Sequence, residues 1–74
     1  MTKEERFLLK LAEVLGGSNS WAASEDLQKQ LRLTAHSFWN QFNGLARANF
    51  VVKNKSGQVQ LTERGWELVA ALKG

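Results

Sequence analysis

The side chains best equipped for chemistry lie close together in the chain. His36, Asn40, Asn43 and Arg47 recur every three or four residues between Thr34 and Asn49, so on an α-helix they share one face. That face holds donors, acceptors and one cation, without a carboxylate, and it suits hydrogen bonding better than acid–base catalysis. The rest of the chain offers catalysis little. Glu4, Glu5 and Glu13, and likewise Glu63 and Glu67, fall on surface helices rather than forming a convergent pair, and no phosphate loop or nucleophile motif occurs. With no cysteine and a single histidine, the composition excludes a disulfide framework, a thiolate nucleophile and a thiolate- or histidine-built metal site. The expectation is a protein that is not an enzyme and takes no metal or cofactor. His36 is then a solvated surface ring or a nucleic-acid contact.

The element that carries these residues is predicted over 34–48. Thr34 is a good N-cap, and Ala35, Phe38, Trp39, Phe42, Leu45 and Ala46 have the spacing of a buried helical stripe. Asn49 suits the left-handed residue that ends a helix. Trp39 stands at the border of the stripe. Either it flanks the core with its N–H reaching water, or it is exposed and stacks on a nucleic acid or anchors a protein partner. Gly44, in mid-helix, costs about 1 kcal/mol relative to alanine. It either admits a close neighbour or is simply tolerated.

Around this helix the remaining elements follow from caps and periodicity. A first helix is predicted over 2–15, opened by a Thr2/Glu5 capping box and stopped by Gly16–Gly17. Phe7, Leu8, Leu11, Val14 and Leu15 form its core face, and Leu9 falls on the far side, as a lone exposed leucine or as a dimer contact. Ser18–Asn19–Ser20 reads as a polar linker and Trp21–Ala22–Ala23 as a very short strand or extended lead-in. A second helix is predicted over 24–32, capped by Ser24, with Glu25 and Asp26 in its first turn and Leu27 and Leu31 pointing inward. Only Arg32 and Leu33 separate it from Thr34, which makes a helix-turn-helix unit. Phe50 to Leu61 reads as a β-hairpin with the turn Asn54–Lys55–Ser56–Gly57, and its tip carries Lys53 and Lys55. Thr62 caps a last helix over 62–73, with Gly65, Leu68, Val69 and Leu72 inward. Trp66 borders that stripe, as core-edge packing or as a dimer or partner contact.

At 74 residues and 8.3 kDa the chain has room for one domain, 1–74. Its 43% hydrophobic content is too high for a disordered tail. No apolar run approaches the ~18 residues that span a bilayer, and no signal-peptide core follows Met1–Arg6; a soluble, cytoplasmic protein is expected, with no membrane partner. Between Leu27 and Thr62 lie Lys29, Arg32, Arg47, Lys53 and Lys55 and no acidic residue, whereas the two ends hold five basic and seven acidic residues. The charge is therefore +5 in the middle and −2 outside, a localised cationic surface.

The order helix, strand, helix, helix, two-stranded hairpin, helix resembles the winged helix-turn-helix DNA-binding fold, mainly α with a small β-hairpin. The resemblance runs from Ser24, Leu27, Leu31, Leu33, Thr34, Phe38, Phe42 and Leu45 through Asn49, Phe50 and Val51 to Leu61–Thr62–Glu63–Arg64–Gly65–Trp66–Glu67–Leu68. That last segment is similar to the Leu-Thr-x-x-Gly-x-x-Leu with which MarR-like and PadR-like regulators close the wing and open the final helix. The resemblance implies base-facing Ala35, His36, Trp39, Asn40 and Asn43, with Arg47 and the hairpin tip toward phosphates. Three positions depart from the family pattern: Trp39 where a small polar residue is usual, Asn49 where glycine is common, and Gln28 where alanine is frequent.

The implied function is a small transcriptional regulator that places helix 34–48 in the major groove of double-stranded DNA. His36, Trp39, Asn40 and Asn43 would face bases; Arg32, Thr34, Arg47, Lys53 and Lys55 would meet the backbone. A homodimer or protein partner would contact Leu9 and Trp66. The competing expectation, since one fold serves several roles, is a winged-helix protein–protein interaction module that does not bind DNA directly.

Overall fold

The computed structural model describes residues 2–17 and 20–74. The chain forms α1 (Lys3–Leu15), β1 (Ala22–Ala23), α2 (Ser24–Leu31), α3 (Ala35–Arg47), β2 (Val51–Lys53), β3 (Gln58–Leu61) and α4 (Glu63–Lys73). It is mainly helical with one small antiparallel sheet of order β1-β3-β2, the α+β class expected. Of the polar linker 18–20, Ser18 and Asn19 lie outside the described residues. No described helix is long and apolar enough to cross a membrane.

Three threonines start three helices. Thr2 Oγ1 accepts the Glu5 N–H at 3.1 Å while Glu5 Oε1 accepts the Thr2 N–H at 2.9 Å, a closed capping box. Thr34 Oγ1 accepts from the Ser37 N–H at 3.1 Å, and Thr62 Oγ1 from the Gly65 N–H at 3.0 Å. Ser24 is not the cap expected of it. Ala23 holds that position without a side-chain bond, and Ser24 is already the first helical residue. The cause is β1: Ala22 and Ala23 pair with Val59 and Gln58, so the chain passes from strand to helix with no residue between.

Two helices end on left-handed non-glycine residues. Asn49 has φ 67°, its N–H donating to the Ala46 carbonyl and that of Phe50 to the Leu45 carbonyl, each at 3.0 Å. At the end of α2, which stops at Leu31, Arg32 has φ 56°; its N–H reaches the Lys29 carbonyl at 3.2 Å and that of Leu33 the Gln28 carbonyl at 3.0 Å. Both pairs are Schellman closures, which glycine usually provides. They turn the chain sharply, so α2, α3 and β2 pack on one core.

That core centres on Phe7 of α1 and on Phe38 and Phe42 of α3, with ring centroids 5.1 to 6.5 Å apart. Leu8, Leu11, Leu27, Leu45, Val51, Val59, Leu61 and Val69 complete it. Ala35 and Ala46, read as part of the buried stripe of α3, are exposed. They flank that stripe rather than point down it.

The last helix is seated on the end of α3. The Thr62 N–H donates to the Phe50 carbonyl at 3.0 Å, and the Thr62 hydroxyl donates to the Asn49 carbonyl at 2.6 Å. Gly65, one turn on, is buried, and a Cβ there would collide with the Phe50 carbonyl oxygen. Threonine and glycine at this spacing thus lock α4 against the Asn49–Phe50 turn.

Candidate nucleic-acid interface

On α3, at ~100° per residue, His36, Asn40, Asn43 and Arg47 fall within an arc of roughly 60° opposite the buried Phe38–Phe42–Leu45 stripe. All four are exposed. The structure therefore brings His36, Asn40 and Asn43 together on one exposed face, with Arg47 in the last turn. His36 Nε2 and Asn40 Nδ2 lie 3.3 Å apart, one helical turn from each other.

Trp39 sits on the flank of this stripe. It is half-buried, edge-on to Phe38 (4.9 Å, 89°) and to Phe42 (5.2 Å, 77°). Lys53 Nζ lies 5.1 Å from its ring centroid, a cation–π contact that ties β2 to α3. The expected hairpin tip is divided by this contact. Lys53 is the last residue of β2 and reaches back to Trp39, whereas Lys55 is exposed in the turn. The turn itself is set by Asn54, whose Oδ1 accepts the Ser56 and Gln58 N–H groups at 3.0 Å, with Gly57 at φ 81°.

The opposite flank of the stripe also carries charge. A hollow of about 260 Å³ between α1 and the α2–α3 corner is lined by Lys3, Arg6, Leu31, Leu33, Ser37 and Gln41. Lys3 and Arg6 escaped the sequence reading because they belong to the acid-rich end; only the packing of α1 beside α3 brings them here. Arg32 is exposed on the αL corner, and Thr34 is exposed with its oxygen engaged in capping. Among the described residues the ion pair is Lys10–Glu13 on α1, at 3.3 Å. None of Lys29, Arg32, Arg47, Lys53 and Lys55 has a carboxylate partner there.

Neither Leu9, expected to be exposed, nor Trp66, expected either at the core edge or as a dimer or partner contact, is open surface. Both are partly buried against the core, where α1 and α4 pack together. The Trp66 indole N–H is buried and has no hydrogen-bond partner among the described residues. Among the described residues the large apolar side chains that are exposed are Trp21 (41%) and Val52 (38%). Val52 pairs with Gln60 in register, and Trp21 immediately precedes Ala22, the partner of Val59, so strand alternation puts Trp21, Gln60 and Val52 on the outward side of the sheet.

No protein-family model, no curated protein and no solved structure matches this chain.

Proposed function

We propose that this chain is a winged-helix DNA-binding protein, a small transcriptional regulator, that lays α3 in the major groove and sets the 53–57 hairpin on the adjacent backbone. The observation that carries the reading is the carboxylate-free polar stripe on α3, with cations to either side of it that have no carboxylate partner among the described residues. A helix of this diameter enters a groove ~12 Å wide, and asparagine and histidine at its exposed face match the donors and acceptors of base edges. Arg32, Arg47, Lys53 and Lys55 supply the phosphate contacts that set register.

Four such contacts predict a slope of log K against log salt of roughly −3 to −4. One copy should therefore bind weakly, and two copies on paired half-sites would double the contact set. Fluorescence anisotropy with a labelled duplex over a series of salt concentrations tests this. A slope in that range supports the reading, and absence of binding at ~50 mM salt overturns it.

The second reading, a winged-helix protein-interaction module, is favoured by Trp21 and Val52 on the outward sheet face. It predicts that Trp21→Ser with Val52→Ser abolishes function while duplex binding is absent in the unaltered protein too.

A further inference from the structure

We infer that the hollow between α1 and the α2–α3 corner seats a DNA backbone phosphate with its deoxyribose, on the wall of the major groove opposite the one met by Lys53 and the hairpin. The inference rests on the DNA-binding reading and adds a second strand to it. At ~100° per residue, Trp39 lies about 100° to one side of Phe38 around the α3 axis, whereas Ser37 and Gln41 lie about 100° and 60° to the other side. Lys53 covers the Trp39 ring on the first flank. Lys3 and Arg6 of α1 line the hollow together with Ser37 and Gln41 on the second. A helix lying along a groove has one strand on each side, so cations on both flanks meet phosphates of both strands.

The lining suits a sugar–phosphate unit. It contains no acidic residue, and Lys3 and Arg6 are exposed with no carboxylate partner among the described residues. Of the neighbouring carboxylates on α1, Glu5 is engaged by the Thr2 cap and Glu13 by Lys10, while Glu4 lies outside the lining. Ser37 and Gln41 add neutral side chains of the kind that hydrogen-bond phosphate oxygens. Leu31 and Leu33, both half-buried, give an apolar side on which a sugar can rest and for which a free anion has no use. Gly44 stands between the polar stripe and the hollow, and a Cβ there would meet nothing within 4 Å. That side of α3 is therefore open to a strand.

The test uses the intact protein. Against a duplex selected from a randomised pool, Lys3→Gln with Arg6→Gln should make the salt slope shallower by ~0.9, the loss of one phosphate. Lys10→Gln, which removes a charge from the same helix outside the hollow, should leave the slope unchanged. Neutral methylphosphonate linkages placed one at a time along each strand locate the contacts. The Lys3/Arg6 double variant should lose its sensitivity to a linkage on one strand, and Lys55→Gln to a linkage on the other. Circular dichroism of each variant checks that the helices still form. An unchanged slope in the double variant, an equal change in Lys10→Gln, or both sensitivities on one strand overturns the inference and leaves the DNA-binding reading standing. Inorganic phosphate alone, at constant ionic strength, should give no saturable shift of the Ser37 and Gln41 amide signals; such a shift would assign the hollow to a free anion and also overturn the inference. Absence of binding to any duplex overturns both.

Discussion

Replacing Arg32 by glycine separates what the fold wants from what the proposed interface wants. Arg32 occupies the left-handed region at φ 56°, ψ 41°, and is exposed. An L-residue there costs about 1–2 kcal/mol, while glycine loses about 0.5–1 kcal/mol more chain entropy on folding than other residues. The difference makes Arg32→Gly stabilising by about 0.5–1 kcal/mol, which in a domain this small raises the melting temperature by roughly 2–8 °C. The same substitution removes one phosphate contact, so the salt slope should become shallower by ~0.9. Arg32→Lys keeps both the strain and the charge and should move neither quantity much. Thermal unfolding by circular dichroism and anisotropy titration of the three proteins give both numbers. A destabilised glycine variant would show that the arginine stem packs usefully. A stabilised variant with unchanged affinity and slope would remove Arg32 from the interface.

Gly65→Ala should cost about 1–3 kcal/mol in urea unfolding, because its Cβ meets the Phe50 carbonyl oxygen rather than a movable side chain; a cost under ~0.5 kcal/mol, within the range of an ordinary surface change, would show that α4 slides freely on the α3–β2 turn. The Glu5 carboxyl is held below its ordinary value, chiefly by the hydrogen bond from the Thr2 backbone N–H and then by that with the Thr2 side chain. Because the folded value is the lower one, the capping-box contribution is present at neutral pH and is lost as pH falls below the usual carboxylate range through the folded Glu5 value. Glu5→Gln should remove that part of the acid dependence, and an unchanged unfolding profile below pH 4 would contradict it. Lys53→Ala should alter Trp39 fluorescence and reduce the salt slope by ~0.9; an unchanged emission would mean that Lys53 does not cover the ring in solution.

Much of the helical framework was legible because its signals are local. Thr2 with Glu5, Thr34 and Thr62 announce helix starts, and the apolar spacing of Phe38, Phe42 and Leu45 orients α3 without any tertiary information. Asn49 is a residue that tolerates αL, so the end of α3 was readable too. The failures share a cause, which is pairing between segments distant in sequence. The β1–β3 register moves Ser24 from cap to helix, and nothing around Ser24 says so. Leu9 falls on a polar arc of its own helix, yet the packing of its neighbours half-covers it. Arginine gives no hint of a left-handed corner, so the conformation of Arg32 had no sequence signal. The polar stripe of α3 was visible from residue spacing alone. Its flanks were only half visible, because Lys53 reaching Trp39 depends on the hairpin register, and Lys3 with Arg6 depends on how α1 packs.

The most direct test of the proposed interface is a titration of ¹⁵N-labelled protein with duplex DNA at ~50 mM salt, where electrostatic binding is near its strongest. The amide signals of His36, Asn40, Asn43 and Arg47, those of Lys53 to Gly57, and the Trp39 indole N–H should shift together and in proportion to bound DNA. Shifts confined to the outward sheet face around Trp21 and Val52, or no shift with any duplex, would contradict it.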